Sequence, residues 1–150
     1  MGGVEEMSYD LKIIAGDLVI NQGQLQIVVD SEKLIQDILK ICLTAAGANP
    51  LHPWYGSFIS RTLVGNANQT SMLVQIAKSQ LTTALTNLQQ LQNLQLQSFQ
   101  RMSADEQITA ILDISVLQSQ INPTLFNVTV KVLSKGLKPI STSFMVNTIT

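Results

Sequence analysis

The chain has 150 residues, of which 45% are hydrophobic and only 13% charged, with a formal net charge of −1. That length suits one domain with its own core, the nine basic residues form no run of the kind a nucleic acid or anionic membrane would need, and a single cysteine, Cys42, excludes an internal disulfide or a multi-cysteine metal site. So few charges leave a poorly solvated surface for a free monomer, so part of it is expected to be covered by partners.

Acids rather than a basic region open the chain, and no apolar run reaches about 18 residues, so neither a secretory leader nor a membrane-spanning helix is expected. Residues 1–9 read as a flexible N-terminus and 10–150 as one domain, synthesised in the cytoplasm. Between residues 10 and 29, Leu11 and Ile13, Leu18 and Ile20, and Leu25, Ile27 and Val29 alternate with polar neighbours around two glycine-containing turns, which predicts a short β-meander. Asp30 or Ser31 can then cap a helix whose apolar face is Leu34, Ile35, Ile38, Leu39, Ile41, Cys42 and Ala45, with Gly47 as its left-handed C-cap.

The stretch Gly47 to Ser57 gathers the only tryptophan, the only histidine and half of the prolines. Pro50 and Pro53 stiffen the path, so Pro53, Trp54, Tyr55 and Gly56 read as a rigid corner or interface, with Ser57 capping a short turn through Phe58, Ile59 and Leu63. From about Asn68 a long helix is expected, with Val74, Ala77, Leu81, Ala84, Leu88 and Leu91 as its stripe. Its other faces are uncharged from Ser79 to Gln100 and rich in glutamine, including Gln80, Gln89, Gln90, Gln92, Gln95, Gln97 and Gln100. Amides are cheaper to desolvate than charges, so such a face suits either solvent or a protein neighbour.

Ser103 and Glu106 have the spacing of a capping box. Three strands follow. Ile108 to Val116 alternates, with a continued helix as the alternative; Asn122-Pro123 turns the chain; Phe126 to Val132 alternates again; Ser134-Lys135-Gly136 makes a hairpin turn; Ile140 to Asn147 closes the sequence. The fold class is thus α+β: a short N-terminal β-meander, two main helices and a C-terminal three-stranded antiparallel sheet. If the last strand is a sheet edge, Ile140, Thr142, Phe144 and Val146 mark a strand-docking edge for another chain.

No constellation for chemistry emerges. The glycines match no phosphate-binding loop, the acids sit at turns and helix starts where capping explains them, and Cys42 is expected to be a buried hydrophobe rather than a partner for His52. Neither a catalytic residue, a cofactor nor a metal is expected.

Several strings in this order resemble the gp25-like, or W-like, group of small baseplate wedge proteins of contractile phage tails. They are Gly16-Asp17-Leu18-Val19-Ile20, Glu32 to Leu39, Pro53-Trp54-Tyr55-Gly56-Ser57, Asp105-Glu106-Gln107-Ile108 and Asn122 to Val130. The resemblance covers about residues 10 to 147. It implies a non-catalytic subunit of the virion tail baseplate, in several copies of a symmetric assembly. Its implied partners are other wedge subunits, the tail sheath protein, and hub or tube proteins, with no nucleic acid or membrane. The Glu-Pro-Arg triplet of many members is replaced here by Gln100-Arg101-Met102-Ser103, leaving Arg101 to take the basic role at a wedge contact. The alternative is a soluble adaptor or anti-adaptor that regulates another protein with the same general fold.

Overall fold

The computed structural model describes residues 9–14, 17–59, 70–98 and 101–147. The expected flexible N-terminus falls almost wholly outside them, as does most of the short turn expected after Ser57; Ile59, within them, is buried in the core.

Helix α1 runs from Asp30 to Leu43 and buries Leu34, Ile38, Ile41 and Cys42, the face predicted from spacing. Its ends depart from expectation. Neither Asp30 nor Ser31 caps it: Val29 is the N-cap residue, with no side-chain cap bond, and the Asp30 carboxylate accepts instead from the Ser103 hydroxyl at 2.6 Å. Asp30 is thereby spent on a tertiary contact. At the other end the helix stops at Leu43, because Ala45 leaves it to form a β-bridge with Ser57. Gly47 does have a positive φ of 87°, but it turns the chain four residues beyond the helix rather than capping it.

The second helix, α2, is one continuous rod from Thr70 to Gln97, about 42 Å long at 1.5 Å per residue. Ala77, Leu81, Ala84 and Leu88 are buried as predicted, joined by Leu73 and Leu85; Val74 is partly buried against them. A 3₁₀ turn, Ala104–Glu106, follows. The expected capping box is present: Glu106 accepts from the Ser103 amide at 3.0 Å and the Ser103 hydroxyl accepts from the Glu106 backbone, while the same hydroxyl donates to Asp30.

Three long strands come next and form one antiparallel sheet. To keep the labels in chain order, the six short strands of the N-terminal region are β1 (Asp10–Leu11), β2 (Ile13–Ile14), β3 (Asp17–Leu18), β4 (Ile20–Asn21), β5 (Gln24–Leu25) and β6 (Ile27–Val28). The long ones are β7 (Ile108–Gln118), β8 (Leu125–Ser134) and β9 (Pro139–Asn147). The strand reading of β7 holds, and two register irregularities between Ile108 and Asp113 explain why Ile111 blurs its alternation. Phe126, Val128, Val130 and Val132 on β8, with Ile140, Phe144 and Val146 on β9, face the helices and are buried. Here α1 packs on α2 and β9, and α2 on β7, so two helices cover one face of the sheet.

The predicted short strands between residues 10 and 29 are present, and they close on themselves. β2 pairs with β3 and β4 with β5 as consecutive hairpins, but β1 pairs with β6. Around the centre the amides of Lys12, Val19 and Gln26 donate in a cycle to the carbonyls of Gln26, Lys12 and Val19, at 2.9 to 3.0 Å. The result is a triangle of three two-stranded ladders. It is pinned to α1 by Gln36, which accepts from the Ile13 amide and donates to the Leu11 carbonyl and Asp10, and by the Lys40–Asp10 ion pair.

Candidate functional site

The loop from Thr44 to Ser57 is a closed corner. The Ser57 amide donates to the Thr44 carbonyl at 2.8 Å, the Ala46 amide to the Ser57 carbonyl at 3.1 Å, and the Ser57 hydroxyl to the Cys42 carbonyl at 2.5 Å. Ser57 is buried and ties the loop's exit to its entry; most of the turn it is expected to cap lies outside the described residues. Gly56 makes the closure possible. It has φ 116°, and a Cβ there would stand 2.5 Å from the Thr44 carbonyl oxygen.

Within this corner Pro53 is exposed and Trp54 is 42% exposed, stacked edge-on between His52 and Tyr55 at 5.7 and 6.1 Å. Tyr55 packs against the core; burial, with the charges of Asp37 and Asp10 adding to it, pushes its hydroxyl up to about 12. The Asn87 amide donates to the Trp54 carbonyl at 3.4 Å, which sets the tryptophan at the rim of a groove with Gln90, Leu91 and the exposed Leu94 of α2. An aromatic anchor beside an exposed leucine is suited to a protein contact. Arg101 is exposed on the segment that leads from α2 to the 3₁₀ turn.

At the far side of the sheet β9 is an edge strand: the order is β7-β8-β9, and β9 pairs with β8 from Pro139 to Asn147. Ile140, Phe144 and Val146, read from sequence as a docking edge, have buried side chains; Thr142 is half-buried. These residues hold the strand on the core, and what the edge offers a partner is its backbone. Ser141, Ser143 and Met145 face outward.

Several acidic groups are engaged structurally. Asp37 pairs with Lys33, Asp10 with Lys40 and Asp105 with Lys138, and Glu106 is fully buried. Burial pushes the Asp10 carboxyl up, but the hydrogen bonds from Lys40 and Gln36 and the Lys40 charge outweigh it and hold it below its ordinary value. For Asp37 burial prevails over Lys33 and raises it. Cys42 lies in the core with its thiol pushed by burial up to about 12, whereas His52 is exposed, so the two do not make a nucleophile and base. Among the described residues no cluster of three metal-ligating side chains occurs, and no helix is long and apolar enough to cross a membrane.

Two features escaped the sequence reading. Gln92, counted with the polar face of α2, is 2% exposed: its Nε2 donates to the Glu106 carbonyl at 2.8 Å and its Oε1 accepts from the Ile108 amide at 2.9 Å. The second is the closure of the N-terminal strands. It has a signal in the sequence, since Leu11, Leu18 and Leu25 recur every seven residues and so do Ile13, Ile20 and Ile27.

No family model and no curated protein matches the sequence. Among solved structures, the fold is similar to that of a Geobacter sulfurreducens protein described as a "putative tail lysozyme", with a TM-score of 0.56, 13% sequence identity, and coverage of 77% of this chain and 88% of that one. At that identity the likeness establishes a shared α+β fold.

Proposed function

We infer that the chain is a structural, non-enzymatic subunit of a contractile phage tail baseplate wedge, joining wedge or hub subunits to the first ring of the tail sheath. The observation that carries this reading is β9: a nine-residue strand at the edge of the sheet whose inward side chains are buried in the core, which suits it to pairing with a strand from another chain. The fold likeness to a protein named for a phage tail supports it, as do the sparse charges and the half-exposed Trp54 beside Leu94.

The name of that neighbour also raises glycoside hydrolysis, which needs two carboxyl groups facing one cleft, one of them protonated to act as an acid. Asp10, Asp37 and Asp105 are ion-paired, Asp30 accepts from Ser103, and Glu106 is sealed in the interior. That pattern favours scaffold over hydrolase.

Deleting the last strand would be a poor test, because Ile140, Phe144 and Val146 would leave the core with it. The combined Ser141→Lys and Ser143→Lys substitution keeps those contacts and places two charges along the outward side of the edge strand. The pair forgoes the Ser143–Thr129 hydroxyl contact and sets a cation opposite Lys131, and is expected to cost about 1–2 kcal/mol in total, which leaves the core contacts of β9 in place. The variant is expected to fold and join baseplates that fail to nucleate sheath, scored by electron microscopy of tails. Normal sheath on particles carrying it would refute docking at β9.

A further inference from the structure

Two turns determine which backbone groups of β9 point out of the sheet. At the β8–β9 turn the Ser134 amide donates to the Lys138 carbonyl at 2.9 Å, so Ser134 and Lys138 are a hydrogen-bonded pair. Bonded and non-bonded pairs alternate along an antiparallel ladder. From the register of the two strands, the bonded pairs that follow are Val132 with Ile140, Val130 with Thr142, Val128 with Phe144 and Phe126 with Val146. The β7–β8 turn agrees independently: the Ser119 amide donates to the Leu125 carbonyl at 2.8 Å, which assigns the backbone of Asn127, Thr129 and Lys131 to β7 and leaves the residues between them to β9. Pro139, which has no N–H, falls opposite Leu133 at a non-bonded position, as this alternation requires.

The amides and carbonyls of Ser141, Ser143 and Met145 therefore turn away from β8. Edge strands are commonly blunted by a charge, a bulge or a proline, yet Pro139 to Asn147 carries no charged residue, its register with β8 runs without a shift, and its one proline stands at the first position. The rows that cross the sheet end at the same residues. Ser115, Thr129 and Ser143 stand side by side on the outer face, with the Thr129 and Ser143 hydroxyls 2.9 Å apart. Leu117, Asn127 and Met145 form the next row, and its two ends are 64% and 61% exposed. On the inner face Ile140, Phe144 and Val146 are the last members, all buried.

We propose, on the strength of the reading of β9 as a docking strand, that the partner strand pairs with the backbone of Ser141, Ser143 and Met145, in a register that Pro139 ends. The direction of the added strand does not change which amides it meets, because β8 has already taken the others. Its chemistry follows from the rows it extends. Positions beside Ile140, Phe144 and Val146 are apolar, since a charge there would be buried without a counter-charge. On the outer face a hydroxyl or amide side chain lies beside Ser143 and an aliphatic one beside Met145.

Hydrogen exchange of the full chain, free and in assembled tails, tests this together with proline substitution. In the free chain the amides of Ser141, Ser143 and Met145 are expected to exchange at least about a hundredfold faster than those of Ile140, Thr142, Phe144 and Val146, and in tails to become protected. Ser143→Pro removes an outward N–H, whereas Ser143→Ala keeps it and loses the same hydroxyl. The two are expected to unfold at similar denaturant midpoints, but only Ser143→Ala is expected to start sheath. Thr142→Pro, which removes the N–H paired with Val130, is expected to lower the midpoint. Exchange in the opposite phase, a midpoint for Ser143→Pro as low as that of Thr142→Pro, or the three amides left unprotected in tails would overturn the proposal. So would protection that grows with the concentration of the free chain, which would give the edge to a second copy. The Ser141→Lys and Ser143→Lys variant separates the two levels: if it blocks sheath and Ser143→Pro does not, the docking reading stands and the register falls, and if both start sheath the two fall together.

Discussion

Gly56→Ala is expected to destabilise the fold by about 3 kcal/mol or more. Two costs combine there. The φ of 116° is one that side-chain-bearing residues rarely adopt, and the added Cβ would lie 2.5 Å from the Thr44 carbonyl oxygen and 2.9 Å from the Ala46 nitrogen. Both are backbone atoms of the segment that Ser57 bonds, so neither can swing aside. Relief would require opening the Ala45–Ser57 bridge and with it the corner that presents Trp54. Gly47→Ala is the control. It too has a positive φ, 87°, but nothing stands within 4 Å of its Cβ position, so only the conformational cost of about 1–2 kcal/mol is expected. Chemical denaturation of the two variants separates contact from conformation; equal losses would mean that the close approach at Gly56 is relieved at no cost.

Gln92→Leu is expected to cost about 2–5 kcal/mol although it makes the interior more apolar. Gln92 is the one glutamine of α2 that bonds to the backbone on both sides of the junction between the 3₁₀ turn and β7. Leucine fills a similar volume but leaves the Glu106 carbonyl and the Ile108 amide without their side-chain partner in a site that is 2% exposed. Burying an orphaned donor or acceptor costs about 1–3 kcal/mol each. Gln90→Leu, on the exposed side of the same helix, is expected to change stability by no more than about 0.5 kcal/mol. Thermal or urea unfolding of the pair distinguishes an interior clamp from a member of a solvated polar face; equal stability for the two variants would remove the clamp.

Much of the fold was legible because it follows from periodicity. Leu34, Ile38 and Ile41 declared the inner face of α1, and Phe126, Val128, Val130 and Val132 declared that of β8, because burial selects side chains at the repeat of each element. What stayed hidden depends on residues far apart in sequence. Asp30 has the right chemistry for a helix cap but is claimed by Ser103, 73 residues away, and Gly47 looks like a helix end because nothing local reveals that Ala45 pairs with Ser57. Gln92 could not be told from Gln90 by composition, since the partner groups that bury it belong to the backbone at Glu106 and Ile108. The triangle is a different case. Its seven-residue repeat stands in the sequence, but alternation within each short strand is satisfied equally by an open meander, and only comparison of the segments shows their equivalence.

The corner and the edge strand were both located from residue types, and the structure adds how each is held. At the corner, Gly56 closes the path and Ser57 bonds it, leaving Trp54 half in water beside α2. At β9, the residues read as a strand-docking edge, Ile140, Phe144 and Val146, also anchor the strand on the core, while Ser141, Ser143 and Met145 face outward.

A cryo-electron microscopy map of tails assembled with this chain tests the central claim most directly. The chain is expected at the baseplate in several symmetry-related copies, with β9 continued by a strand of the first sheath ring. Tails complete with baseplate and sheath in which no density fits this fold would contradict it.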